Sequence, residues 1–519
     1  MRWSFHLGEY FGQALRSLRS LCSLRLVSQP LLDHRTSWLC ALAVALAFGG
    51  AAQGAFAGDQ PQWGRAWSRN MASDERNLPS RFDPQSGLNV KWSARLGTET
   101  HATPIVAGGR VYIGTNNGEP RDPKQQGDRG VLMCFEEKTG RFLWQLVVPK
   151  RVEDIYFDWP QSGICSPPTV EGERVYIVSN RGEVLCLDAR NGDILWLFNL
   201  TEGAGIWSHD AAHSSILIRG NLLYLNTGTG VDNTHIHIRT PDAPNLVVLD
   251  KRTGRLVARD HEHIAPNIFH NTWSAPSSGE ANGRPLIFLA AGNGIVYAFE
   301  PIQEPPAPQE SSGQPNTPAL QFLTRVWQFD FDPAAPKTNV HKYHSNRHEG
   351  PSDFFGMPVF YRNRLYVAGG GDIWWGKNEA WLKCVDATRT GDITTNGLLW
   401  SYPLQKHVMA TPAISEGLVF IADCGHVLHC LDAVTGQPCW TDELKGEAWA
   451  SPLVADGKVY LGTRNGSFYV LAAERQKKLL SAIDLGPPIS STATAANGVL
   501  YVATMTHLYA LQEQKPAGR

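Results

Sequence analysis

The stretch Thr411-Pro412-Ala413-Ile414, Leu418-Val419-Phe420-Ile421-Ala422, Val427-Leu428-His429-Cys430-Leu431, then Asp432-Ala433-Val434-Thr435-Gly436 leading to Trp440 holds four short apolar segments separated by three turns. The segments are rich in β-branched residues and mix apolar with small or polar positions. Such short runs between Gly-bearing turns read as antiparallel hairpins, and no helical period competes. In the last turn, Asp432 can bond backbone groups and Gly436 tolerates the positive φ that ends it.

Working outward, the aromatic position of Phe420 recurs at Tyr112, Tyr176, Tyr224, Phe288, Tyr366, Tyr460 and Tyr501. In chain order the eight positions are separated by 64, 48, 64, 78, 54, 40 and 41 residues. The two shortest spacings match the roughly 40–45 residues of one four-stranded propeller blade, and the longer ones read as the same blade with loop insertions. The acidic-to-glycine turn recurs as Glu136 and Gly140, Asp188 and Gly192, Asp250 and Gly254, and Asp386 and Gly391. Trp144, Trp196, Trp400 and Trp440 follow such turns, and Trp327 takes the comparable place in the fourth unit. A large ring at a fixed place in each unit is what packing between blades requires. The eighth unit, residues 491–511, lacks its outer strand, which Val90-Lys91-Trp92-Ser93-Ala94-Arg95-Leu96 supplies from the other end of the chain. The expected fold is all-β: an eight-bladed β-propeller of four-stranded antiparallel blades over residues 58–519, its ring closed by the N-terminal strand.

Residues 1–57 read as a signal peptide. Arg16, Arg19, Arg25 and Arg35 precede an apolar stretch over 38–48, and Ala55-Phe56-Ala57 precedes Gly58. That stretch is about half the roughly 20 residues of a membrane-spanning helix. Counted from Leu32, the leader has an ordinary length. The expected location is the periplasm or cell envelope. The 47 basic and 49 acidic residues nearly cancel without a long basic run, so no nucleic-acid partner is expected. After cleavage seven cysteines remain, an odd number that excludes complete internal pairing. Cys134, Cys186, Cys384 and Cys430 share one register, where other units carry Val248, Ala298, Val470 and Ala510, and so read as buried packing residues. Cys424 and Cys439 share a blade, which leaves a pair between them open, although free thiols are the expectation.

The pattern Thr/Ser-Pro, Val-Tyr-Ile, Leu-x-Cys-Leu-Asp, Thr-Gly-x-x-x-Trp resembles the tryptophan-docking repeat of the pyrroloquinoline quinone repeat superfamily. That superfamily contains quinoprotein alcohol dehydrogenases and the outer-membrane protein assembly lipoprotein. The resemblance covers nearly the whole chain after residue 57 and implies the propeller; for activity it implies either an enzyme or a non-catalytic scaffold. The dehydrogenases hold their quinone beneath a disulfide between adjacent cysteines, with calcium on a Glu and an Asn and an Asp as base. This sequence has no Cys-Cys pair, and none of those ligands is matched residue by residue. Neither Cys22 nor Cys40 follows a long apolar run with small residues before it, so lipid attachment is not expected.

Three residues before the Pro that opens each innermost strand, or its equivalent, lie His101, Ile164, His213, Trp273, Phe355, Met409, Trp449 and Ser490. Propeller geometry places one such residue per blade at one mouth of the central channel. His101, His213, Trp273, Phe355, Met409 and Trp449 are therefore the candidates for holding a planar ligand or cofactor. His270, Asn271, Arg347, His348 and Glu349 lie nearby, and His209, Asp210 and Asp353 are the acid-base candidates. His235 with His237, His261 with His263, and His341, His344 and His348 have metal-like spacing. None has the further Cys or carboxylate of a zinc motif, so no metal is assigned. Residues 301–319, rich in Pro, Gln, Ser and Glu, read as a disordered loop, while insertions at 119–129, 229–245 and 331–352 are long enough to shape a binding face. The expected function is a non-catalytic binding or scaffold protein for an envelope protein, glycan or small molecule. The alternative is an alcohol or sugar dehydrogenase using pyrroloquinoline quinone with calcium, Trp273 or Trp449 stacking on the cofactor.

Overall fold

The computed structural model describes residues 58–210, 214–305 and 319–514. They form eight antiparallel blades of four strands each, two of them extended by a fifth. The sixth blade, Ala413–Ser415, Leu418–Ala422, Val427–Asp432 and Pro438–Glu443, shows the plan read from the sequence. One row crosses every blade in register. Tyr112, Cys134 and Trp144 face one another, as do Tyr176, Cys186 and Trp196, and Tyr366, Cys384 and Trp400. In the six blades that carry the tryptophan a Cys or Ala lies between two large rings, whereas Val248 and Val470 face Ala258 and Ser481 instead. The seven cysteines after residue 57 are free thiols, so Cys424 and Cys439 are not bonded to each other.

Blades join through tryptophan. Trp144 Nε1 donates to Ala189 O at 3.1 Å, and Trp92, Trp196, Trp327, Trp400 and Trp440 make the same bond to Glu137, Lys251, Ala387, Ala433 and Glu474 of the following blade. The indole lies flat on the turn glycine: a Cβ on Gly192, where φ is +80°, would sit 2.5 Å from the Trp144 ring. Strand Val90–Arg95 pairs antiparallel with His507–Leu511, so the last blade is completed from the N-terminal side.

Two joints lack the tryptophan, where Ala258 and Ser481 occupy its place. At the third blade, residues after Ile295–Phe299 of the fourth blade fold back. Ile302 N donates to Tyr224 Oη at 3.1 Å, Glu304 accepts from Asn221, and Gln321–Phe322 adds a parallel fifth strand to Leu256–Arg259. The disordered loop expected over 301–319 is corrected at its flanks, since 301–305 are held by these contacts; residues 306–318 lie outside the described residues. The signal-peptide reading of 1–57 lies outside them too. At the seventh blade, Leu78 and Phe82 fill the joint, and Ser481 Oγ donates to Ser80 O.

Residues 60–75, in which no separate element was expected, run once round the axis and bond to the inner edge of every blade. Val106 N donates to Gln60 O, Val170 N to Pro61 O, Ser278 N to Trp67 O, Phe360 N to Ser68 O and Val454 N to Met71 O. Asn70 exchanges two bonds with Ile414, Arg69 donates to Ser215, and Glu75 accepts from Asn497 and Gly498. Innermost strands expose unpaired edges to the channel, and this belt satisfies them.

A chain starting at Thr98 lacks the closing strand and leaves His507–Leu511 as an edge. It is expected to elute from gel filtration with light scattering at a larger mass than the full chain. A chain starting at Ser86 keeps the strand and loses the belt; it is expected to retain the full chain's mass and melt at a lower temperature. Unchanged mass and melting temperature for the first truncation would refute closure by this strand.

Candidate functional site

Trp63 of the belt is among the residues that line a cavity of about 430 Å³. Of the residues expected at the mouth, His101, Trp273, Phe355, Met409, Trp449 and Ser490 line it. Ile164 is buried behind the wall and its neighbour Cys165 takes its place. His213 lies outside the described residues.

Two loops unmarked by the sequence reading complete the wall. One brings Tyr156, Phe157 and Trp159; the other, within the fifth blade, brings Trp374 and Trp375. The second is tightly built. Asp372, fully buried, accepts from Trp374 N at 2.8 Å and Trp375 N at 2.9 Å, and Arg347 of the 331–352 insertion donates to the carbonyls of Asp372, Ile373, Trp374 and Gly376. A Trp-Trp doublet and an Asp after the glycines 369–371 was the available signal. Trp449 meets Trp374 edge to face at 6.1 Å, Arg464 lies 4.5 Å over the Trp449 ring and donates to Ser490 Oγ, and His101 stacks on Trp449 at 6.3 Å.

His209 and Asp210 line the cavity, whereas Asp353 is buried behind it. His209 Nδ1 donates to Val231 O at 2.8 Å, and its Nε2 faces His270 Nε2 at 3.0 Å. His270 Nδ1 donates to Asp372 Oδ2 at 2.7 Å. His235 of the 229–245 insertion completes the group: the ligating nitrogens of His209, His235 and His270 lie within 4.8 Å of one another. The sequence neighbours paired by spacing do not meet in this way. His237, His261, His263 and His348 are exposed, His341 bonds Ile268 O, and His344 stacks on Trp375.

Burial, reinforced by His270, holds His209 well below the ordinary imidazole range, and burial beside His270 and His344 lowers His235 to about 4. Burial also opposes charge on His270, but Asp372 outweighs it and raises that imidazole. Burial pushes Asp210 up to about 7, and burial together with Asp372 holds Asp353 well above the usual carboxylate range. Among the described residues no helix is long and apolar enough to cross a membrane.

A ring of tryptophan-docked blades around an aromatic cavity places the chain among the propellers of the pyrroloquinoline quinone repeat. The family model described as outer membrane protein assembly factor BamB matches residues 75–300 and 378–515, and the chain belongs to that family. It is also similar to a quinohemoprotein alcohol dehydrogenase of Comamonas testosteroni, 29% identical over 108 residues, a match spanning 18% of this chain and 15% of that relative. Among solved structures, BamB from Moraxella catarrhalis aligns with a TM-score of 0.49 at 14% identity over 83% of this chain and 99% of its own. The Comamonas dehydrogenase aligns with a TM-score of 0.47 at 14% identity over 92% of this chain and 83% of its own.

The raised Asp353 makes stability fall as pH rises. In the unfolded chain this carboxyl ionises near pH 4, while in the fold it keeps its proton to higher pH, so the unfolded state is favoured progressively above pH 4. Asp353→Asn keeps an acceptor for Phe354 N, which bonds Oδ1 at 2.7 Å, and removes the ionisation. It is expected to raise the melting temperature at pH 7, with the gain shrinking to nothing as pH falls to 4; a gain independent of pH would refute the assignment.

Proposed function

We propose that the chain is an exported binding protein of the cell envelope that takes a saccharide into its axial cavity. The observation that carries this reading is the composition of the wall. Nine aromatic rings, including Trp273, Trp374, Trp375 and Trp449, offer faces on which the C–H side of a sugar ring packs. Between them Glu99, His101, Asp158, Asn180 and Arg464 provide hydrogen-bonding groups for hydroxyls at its edge. The size supports a small ligand. Export is supported by the signal-peptide reading and by membership of an outer-membrane assembly family, which also supports docking of an envelope protein on the outer loops.

The dehydrogenase alternative meets the wrong charge. Pyrroloquinoline quinone bears three carboxylates, whereas Arg464 is the one Arg or Lys among the described lining residues and shares the wall with the carboxylate of Glu99. Lys150 is already engaged by Asp158, at 3.2 Å. Cys165 is the one described cysteine on the wall, which leaves no disulfide to stack on a quinone. These residues do not fit that cofactor, and no step is derived through it.

Titration of the full chain with cello-, malto- and chito-oligosaccharides is expected to change its tryptophan fluorescence with saturation, and Trp449→Ala is expected to weaken binding about tenfold, or 1.4 kcal/mol. Calorimetric titration with pyrroloquinoline quinone and calcium is expected to give no saturable heat. Stoichiometric quinone uptake with reduction of a dye by alcohols or sugars would overturn the reading in favour of the enzyme.

A further inference from the structure

We propose that His209, His235 and His270 form a binding site for one divalent first-row transition metal, zinc foremost, with a coordination position open to the cavity. The inference stands apart from the saccharide reading, since it concerns the ion alone.

The hydrogen bonds fix the chemistry. His209 gives its Nδ1 proton to the carbonyl of Val231, and His270 gives its Nδ1 proton to Asp372. Each therefore aims Nε2 inward, and the two nitrogens face each other at 3.0 Å. With both Nδ1 protons committed, the two Nε2 atoms can be bridged by one proton or by one cation. A proton would satisfy two rings, yet a third is brought to the same point. The His235 ring makes no side-chain hydrogen bond among the described residues, while its backbone N–H donates to Asp232 O at 3.0 Å. It is held edge-on to Tyr156 at 4.6 Å and against Trp375 at 4.7 Å, on backbone with φ +61°. A non-glycine residue in the left-handed region, buried among aromatics, is a costly placement, and such placements concentrate at functional sites.

Three nitrogens around one point match the ligand set of an open zinc site. Metal–nitrogen bonds of about 2.0–2.1 Å separate tetrahedral ligands by about 3.3 Å, so to hold the ion the His209–His270 pair opens from 3.0 Å while the His235 nitrogen, within 4.8 Å of both, closes on them. The outer shell is also present. Asp372 orients His270 and places a buried negative charge behind it, the Val231 carbonyl orients His209, and Arg347 pins the loop that carries Asp372. Three imidazoles without a thiolate suit Zn²⁺, Co²⁺, Ni²⁺ or Cu²⁺ and exclude calcium, which takes oxygen ligands. All three histidines line the cavity, so the remaining position faces whatever occupies it.

The test uses the full chain without a polyhistidine tag, stripped with chelator and then given ZnCl₂ or CoCl₂. Metal analysis after gel filtration is expected to find one zinc per chain, with a Kd below micromolar by competition with a chromophoric chelator. Cobalt is expected to give the visible bands of a four- or five-coordinate nitrogen site. His235→Ala, on a surface insertion outside the blades, is expected to weaken zinc at least 100-fold, and Asp372→Asn 10- to 100-fold. The double variant His261→Ala, His263→Ala is expected to bind as the parent does. The proposal is overturned if the folded parent, checked by circular dichroism, takes up neither ion. It is equally overturned if uptake survives His235→Ala or is lost with His261 and His263. Because the cobalt spectrum is read on the parent, it decides the matter even where a variant fails to fold.

Discussion

Everything in this ring depends on an indole laid across the turn of the next blade. The hydrogen bond from Nε1 is worth about 1 kcal/mol, whereas burying a large aromatic side chain contributes several times that. Burial therefore holds the blades together and the bond sets their angle. Trp144 and Trp400 are 7% and 8% exposed, Trp327 not at all. The glycine beneath the ring is required twice, by its positive φ and by the 2.5 Å that a Cβ would leave at Gly192. A repeated angle closes the ring at eight blades, and the width of that ring sets the width of the channel.

Where the device is missing, other parts of the chain replace it. The two joints without tryptophan lie four blades apart, after the third blade and after the seventh. One is covered by chain returning from the fourth blade and the other by residues 78–89. The belt that precedes those residues bonds to every blade. It buries Arg69 completely among the carbonyls of Trp63, Ser215 and Pro276, without a carboxylate partner, and burial lowers that guanidinium to about 9. A buried cation satisfied by these carbonyls and the Ser215 hydroxyl fixes the belt in one position, because each donor has a specific acceptor to meet. The cavity floor is thus as rigid as the blades.

The blades were legible because their grammar is local. A turn acid, a turn glycine and a following tryptophan occur within about ten residues, and each has a physical reason in its own blade or the next. The mouth residues were legible for the same cause, a constant offset from each inner strand; among the described residues the offset missed at Ile164, where Cys165 lines the cavity instead, and His213 lies outside them. The belt was not legible. Residues 60–75 form no strand of their own, and their bonds go to partners up to several hundred positions away. The histidine group was hidden similarly. Its members were each visible as single polar residues, but His235 and His270 are 35 positions apart and Asp372 lies a further 102 beyond. Short spacings such as His261 and His263 attract the eye and point outward, since two residues of one extended loop need not share a target.

The unequal repeat spacing carries the remaining information. Blades six to eight recur at 40 and 41 residues and contribute Met409, Trp449 and Ser490 as a plain rim. Spacings of 64 and 78 belong to blades two to five, whose loops carry Tyr156, Trp159, His235 and His270. Residues added between strands do not alter the docking angle, because the indole contact lies at the outer edge of each blade. The ring tolerates them while the cavity is remade by them. The chemistry concentrates on one side of a symmetric scaffold for that reason: the outer edges hold a constant angle, and the loops facing the axis are free to differ.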